Sequence, residues 1–245
     1  MLTTEMRQQG HYLFRYRSFL PIVIIFPLLI GLSRCDPSQW FSPVTFIWEL
    51  ACFAVSVAGL AVRIGTVGFV PGGTSGRNTK EQRATMLNTT GVYSVVRNPL
   101  YLGNLLMWLG IVLTVADLAI LAVFVLAFCL YYERIIAAEE EFLTREFGDQ
   151  FVSWAKTTPA LIPRLAMWQY PSEPFSFRTV LKREYCGFLG LTTAFPILIL
   201  CGHLILEGRL YLETTWIAVF CCGTICFLFL RYLKKQTRFL HVPGR

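Results

Sequence analysis

Two clusters of polar residues stand out in a chain that is otherwise apolar. The first reads Arg97-Asn98-Pro99-Leu100-Tyr101-Leu102-Gly103-Asn104. Proline suits the first turn of a helix, where its missing N–H leaves no bond unmade. The free N–H groups of that turn can hold an anion such as a carboxylate. Gly103 follows on the same helix face, where the lack of a Cβ lets a bulky group approach the backbone. Tyr101 offers a ring and a hydroxyl. The same residues also suit a plain boundary of membrane insertion, with an arginine and an aromatic at the interface and a glycine at a helix contact.

The second cluster opens with Glu133-Arg134, continues through Glu139-Glu140-Glu141-Phe142-Leu143, and closes with Phe147-Gly148, Phe151, Trp154, Pro159 and Pro163. Leu143, Phe147, Phe151 and Trp154 recur at helical spacing, which predicts an amphipathic helix against a membrane surface. Three consecutive glutamates beside an often anionic inner leaflet are a poor choice for docking alone. A carboxylate there needs a cationic partner: Arg134, Arg97 or a bound sulfonium. A solvated acidic face is the plainer alternative.

A third stretch, Pro71-Gly72-Gly73-Thr74-Ser75-Gly76-Arg77-Asn78-Thr79, has the glycines, hydroxyls and arginine of an anion-binding loop, and equally the composition of a flexible linker. It lacks GxGxxG and the P-loop lysine, so a soluble nucleotide fold is unsupported. The eight cysteines form no CxxC pair and sit almost entirely in apolar segments, as core packing would have them. The three histidines, His11, His203 and His241, are far apart and make no metal-ligand pattern.

The elements that must position these clusters are membrane helices. Hydrophobic residues make up 55% of the 245 and charged ones only 15%, well under the roughly 25% of a soluble domain. Mean hydropathy is +0.54, and so large an apolar excess must face lipid. No cleavable signal peptide is read at the N-terminus. Six segments can span or nearly span a bilayer: Phe19–Leu32, Val44–Val67, Leu100–Val115, Leu118–Tyr132, Cys186–Leu206 and Thr214–Tyr232. The third rises only about 24 Å against a hydrocarbon core of about 30 Å. With the fourth it reads as one helical hairpin turning at Ala116-Asp117, open to extension by helix at its cytoplasmic ends. The predicted fold is all-α: a polytopic transmembrane bundle of about six spans, one short hairpin among them, with a cytoplasmic amphipathic helix.

Charge orients the bundle. With both termini on one side, that side carries 20 of the 22 Lys and Arg residues, leaving Arg34 and Arg209 on the other. The positive-inside rule makes the basic side cytoplasmic, which is the inner face of the inner membrane in a bacterium. The net charge of +7 is then membrane-surface charge, and a nucleic-acid partner is a poor reading because the basic residues are spread over four segments. Two charges fall within spans. Glu49 is placed near the outer interface, and Arg63 is read as snorkelling to the cytoplasmic edge; neither is given a chemical role.

Taken together, the two clusters resemble the isoprenylcysteine carboxyl methyltransferase and phospholipid methyltransferase superfamily of membrane enzymes. That family carries Arg-His-Pro-x-Tyr-x-Gly, then Glu-Glu-x-x-Leu-x-x-x-Phe-Gly-x-x-Tyr-x-x-Tyr leading to Ile-Pro. The matching residues here are Arg97-Asn98-Pro99-Leu100-Tyr101-Leu102-Gly103, and Glu139-Glu140, Leu143, Phe147-Gly148, Phe151, Trp154 and Ile162-Pro163. The resemblance covers roughly residues 50–165, so the chain divides into an N-terminal membrane segment (1–49), a methyltransferase core (50–165) and a two-span extension (166–245).

The resemblance implies that S-adenosylmethionine is held between the two motifs, on Arg97, Asn98, Pro99, Tyr101, Gly103 and Glu140, with Arg134 and Glu139 as neighbouring candidates. Arg97 and Glu140 are the residues expected to be indispensable to transfer. Asn98 departs from the family's histidine: it hydrogen-bonds but cannot titrate near neutral pH. An anionic oxygen needs no base, whereas an ethanolamine nitrogen must first lose a proton. The departure therefore favours O-methylation of an anionic lipid headgroup, and the Thr-Ser-Gly-Arg-Asn and Arg-Asn-Pro pattern is similar to bacterial relatives that methylate lipid A phosphate. Arg77, Arg83 and Arg164 are the expected headgroup contacts, since arginine forks suit phosphate. A prenylcysteine carboxylate and an amine headgroup are the alternative acceptors. A transporter or a chemically inert scaffold are the alternatives of another class. The spans show no inverted repeats and no paired intramembrane ionisable residues to favour transport.

Overall fold

The computed structural model describes residues 2–16, 23–36, 40, 43–71 and 84–242. The helices run in order α1 (Leu2–Tyr16), α2 (Ile25–Leu32), α3 (Pro43–Phe69), α4 (Pro99–Leu113), α5 (Leu118–Phe147), α6 (Asp149–Thr157), α7 (Phe177–Glu207) and α8 (Thr214–Gln236). Helices α3, α5, α7 and α8 are long and apolar enough to cross a membrane, and α4 is a shorter apolar helix. With 27 residues, α3 is about 40 Å long, comfortably more than the hydrocarbon core. The protein is a polytopic helical bundle, as its composition demands.

The hairpin is α4 and α5. Pro99 occupies the first turn of α4. The chain reverses through Ala116, which takes a left-handed φ of 54°, and Asp117 caps α5 by accepting from the N–H groups of Ala119 at 2.8 Å and Ile120 at 3.1 Å. Several boundaries differ from the sequence reading, among them the start of α7, at Phe177 rather than Cys186. Helix runs on past Tyr132 at the hairpin's cytoplasmic end, as the sequence allowed, because no helix breaker lies between 132 and 147 and the alanines and glutamates there are strong helix formers. It continues through the glutamates as one 30-residue helix. The predicted amphipathic helix is cut at Gly148, whose φ of 50° and ψ of −128° suit glycine alone, and restarts as α6. The first predicted span shows helix at Ile25–Leu32; residues 17–22 lie outside the described ones.

The residues ahead of the first predicted span, given no element by sequence, fold as α1 along the distal half of α5. Arg7 Nη1 reaches Glu141 at 3.5 Å. Gly10 lies so close to α5 that a Cβ there would meet the Arg134 carbonyl oxygen at 2.0 Å.

Helices α3 and α4 cross at small residues, the usual means of close helix contact in lipid, where apolar side chains gain little by leaving one apolar phase for another. A Cβ on Gly59 would stand 2.6 Å from the Gly103 carbonyl oxygen, and one on Gly110 would stand 2.2 Å from Ser56 Oγ. Ser56 Oγ in turn donates to the Met107 carbonyl at 2.7 Å. Two turns nearer the start of α3, Glu49 is buried and accepts from Trp216 Nε1 of α8 at 2.8 Å. An intramembrane carboxylate thus finds its donor inside the protein.

Gly110→Val should lower stability by about 1–3 kcal/mol through overpacking of this crossing. Gly190→Ala, at a site with no atom within 4 Å of the new Cβ, should melt like the parent. Thermal unfolding in detergent, followed by loss of the monodisperse peak, distinguishes the two.

Candidate active site

The two sequence clusters meet at the end of the bundle where α4 begins and α5 ends. Three interactions join them. Arg97, just ahead of α4, directs Nε and Nη2 to Oε1 of Glu140 on α5, at 3.0 and 2.8 Å. Its Nη1 donates to the carbonyls of Ala155 and Thr158. These carbonyls close α6, where the last turn of any helix lacks intrahelical partners. One planar guanidinium therefore ties three helices, a task that a lysine's point charge cannot perform.

The second interaction is Tyr101, whose hydroxyl donates to Glu139 Oε1 at 2.7 Å. Adjacent glutamates on α5 thus face different residues of the first motif. The third is backbone pairing: the N–H groups of Arg97 and Asn98 donate to the carbonyls of Pro159 and Ala160 at 2.8 and 3.2 Å, and that of Arg164 donates to Val95 at 2.9 Å. The Asn98 side chain joins in, its Nδ2 donating to the Ala160 carbonyl at 3.1 Å. Asn98 does not cap α4 with its side chain; it holds the Pro159–Pro163 segment.

Aromatic rings line the same region. Tyr101 and Tyr132 lie with centroids 4.5 Å apart, and Phe128 backs Tyr132 at 4.2 Å. Tyr93, in the short 3-10 turn before α4, is kept protonated: burial and the nearby Glu139 carboxylate push its phenol above the ordinary range, against partial relief from Arg183 and Arg63. Its hydroxyl remains a donor at neutral pH. Two carboxylates, one of them held by Arg97, and three phenol rings make a site suited to a cation.

The other sequence candidates fall elsewhere. Gly103 faces α3, where a Cβ would meet Arg63 Cγ at 2.5 Å and the Gly59 carbonyl oxygen at 2.8 Å, so what the glycine admits is a helix. Arg134 points toward α1, with Nε donating to Gln9 Oε1 at 2.7 Å, and is not brought to Glu140. Arg164 is exposed on the loop that pairs with Val95. Arg77 and Arg83 lie outside the described residues. Among the described residues, no group of three His, Cys, Asp or Glu could hold a metal ion.

Arg63 corrects its expected role. It does not snorkel outward but pairs with Glu184 of α7, Nε and Nη2 lying 2.8 and 2.9 Å from the two carboxylate oxygens. Its Nη1 donates to Asn104 Oδ1 at 2.6 Å, and Asn104 Nδ2 donates to the Tyr132 hydroxyl at 3.1 Å. Sequence reasoning missed Arg63, Asn104, Tyr132 and Glu184 as a group. The available signal was a lone cation and a lone anion in or beside apolar spans, each costly without the other.

Arg97→Lys keeps the charge and loses the fork. It should free the end of α6 and lower stability by about 1–3 kcal/mol. Hydrogen exchange should rise first over 149–158, and a protection pattern equal to the parent's there would refute the clamp.

Comparison with known proteins agrees with this geometry. The family described as phospholipid methyltransferase matches residues 43–150, from α3 through the glutamates to the start of α6. The cobalt-zinc-cadmium resistance protein CzcN of Cupriavidus metallidurans is 35% identical over 146 residues, covering 60% of this chain and 61% of that protein. The nickel-cobalt-cadmium resistance protein NccN of Alcaligenes xylosoxydans xylosoxydans is 30% identical over 201 residues, covering 78% of this chain and 87% of that protein. The protein-S-isoprenylcysteine O-methyltransferase of Schizosaccharomyces pombe is 29% identical over 85 residues, 35% of this chain and 36% of that protein. No solved structure matches. With both motifs joined at one end of the bundle, and with these relatives, the chain belongs to the isoprenylcysteine carboxyl methyltransferase and phospholipid methyltransferase superfamily of membrane methyltransferases.

Proposed function

We propose that this protein transfers the methyl group of S-adenosylmethionine to an anionic oxygen of a lipid headgroup at the cytoplasmic membrane face. The observation that carries the reading is the convergence of Arg97 with Glu140 and of Tyr101 with Glu139 at one end of the bundle. The residues present fit the cofactor. Carboxylates and phenol faces suit its positive charge, and cation–π contacts contribute about 0.5–2 kcal/mol each. The bound cofactor would supply an electrophilic methyl carbon on a sulfonium.

The protein's own part is placement and exclusion of water. The rings of Tyr101 and Tyr132 offer a wall for the cation, Glu139 and the Arg97-held Glu140 bring carboxylates to it, and Arg97 fixes the place of Glu140. Charge is neutralised when an anionic oxygen attacks, so a dry site favours the reaction. Such an oxygen arrives deprotonated, which agrees with an asparagine at 98 in place of the family's histidine. Arg77, Arg83 and Arg164 are proposed as headgroup contacts. The 20 basic residues on one predicted face support the cytoplasmic placement, and the core is proposed to span 50–165 with the helices on either side as framework.

A second acceptor, a prenylcysteine carboxylate, is favoured by the S. pombe relative and uses the same chemistry. The resistance names of the other two relatives fit the phosphate reading in one respect: each methyl ester removes a negative charge that draws metal cations to a membrane surface.

Membranes containing the protein, given S-adenosylmethionine labelled in its methyl group, should yield a labelled lipid whose ester carbon is identified by mass spectrometry. Glu140→Gln and Arg97→Ala should insert normally and lose roughly 10²-fold or more of that transfer. Normal turnover in both variants would reject the site, and label in peptide alone would shift the acceptor to a prenylcysteine.

A further inference from the structure

A line of polar side chains runs from the C-terminal extension into the site. It starts at Glu184, whose side chain is 5% exposed, and passes to Arg63, at 18%. Arg63 spends Nε and Nη2 on Glu184 and Nη1 on Asn104 Oδ1. With its oxygen taken by a cation, the Asn104 amide can present only its NH₂ to Tyr132, so the orientation of the amide follows from its neighbours. Tyr132 backs the Tyr101 ring, and Tyr101 donates to Glu139. The lack of a side chain at Gly103 leaves room for the arginine stem.

Stability alone does not account for this pair. Two buried charges hold a fold no better than well-packed apolar residues of the same volume, because desolvation offsets their attraction. Direction accounts for it: every link leads toward Glu139. Glu184 also lies beyond residues 43–150, the stretch that matches the family.

We propose that Arg63, Asn104 and Glu184 are positioning residues for methyl transfer, fixing Tyr101 and Glu139 through Tyr132, so that the extension after residue 165 belongs to the working site. The inference rests on the methyltransferase reading above.

The test uses the full chain in detergent or nanodiscs, with S-adenosylhomocysteine as the binding probe in calorimetry. Labelled transfer to membrane lipid and thermal melting are followed in parallel. Asn104→Ala and Tyr132→Phe interrupt the line while leaving the Arg63–Glu184 pair intact, so neither strands a buried charge. Both should raise the Kd for S-adenosylhomocysteine roughly tenfold and slow transfer. Arg63→Lys, which keeps the charge without the fork, should do the same. Glu49→Gln weakens an equally buried link, to Trp216, nearer the start of α3; it should lower melting and leave the Kd at the parental value. Parental Kd and transfer rate in Asn104→Ala and Tyr132→Phe would overturn the proposal. So would an equal loss of affinity in Glu49→Gln, since the effect would then be general loosening. Absence of S-adenosylhomocysteine affinity in the parent protein would instead overturn the methyltransferase reading, and this inference with it.

Discussion

A guanidinium cannot stand alone in an apolar bundle. Its charge is too costly to bury unpaired and its donors too numerous to leave unmet. Here that constraint is met twice, and each solution joins three segments. Arg97 spans the start of α4, the glutamates of α5 and the last carbonyls of α6. Arg63 spans α3, α4 and α7. The site is what lies between these two cations. Tyr101 and Tyr132 occupy the interval, with Asn104 below them and Glu139 above. With the tight turn at Ala116-Asp117 and the Tyr101–Glu139 bond, the satisfaction of Arg97 sets how a 15-residue helix lies against a 30-residue one.

The close approach of α3 and α4 serves the same end. Gly59, Gly103 and Gly110 let two backbones nearly touch, which brings Arg63 within reach of Asn104 across the crossing. Dispersion and backbone contact, rather than expulsion of water, hold such a pair together in lipid. The glycine of the first motif therefore acts on the site at one remove. It makes space for an arginine stem, and the arginine orders the amide and the ring.

Much of this was legible in sequence. The hairpin, the membrane helices and the nearness of the two motifs all follow from apolar run lengths, a proline at a helix start and two motifs separated by one turn. Residues that act locally were read well: Pro99 opens α4 as its ring geometry requires. Helix beyond Tyr132 was expected at the hairpin's cytoplasmic end, but its unbroken run to Phe147 was obscured because the change from apolar to acidic residues looks like the end of a helix. Arg134 was misplaced for a related reason. It sits six residues before Glu140, more than one and a half turns, and so faces α1 instead of the site. The Arg63–Glu184 pair was hidden because its members are 121 residues apart, and no periodicity links one helix to another that distant. Such pairs are visible only as two separate anomalies until a fold brings them together.

Helix α8 buries only Trp216 and Gly223 among its residues. The first is held by Glu49, and the second lies against Thr192, where a Cβ would stand 1.8 Å from Oγ1. These two residues are one heptad apart, so they form a single stripe. Two anchors along one line set which side of the helix faces the bundle. Much of its outer circumference is exposed on the bundle, and hydrocarbon there would discriminate poorly among leucine, isoleucine and phenylalanine, so mutational tolerance in this protein should be distributed by angle around the helix rather than by position along it.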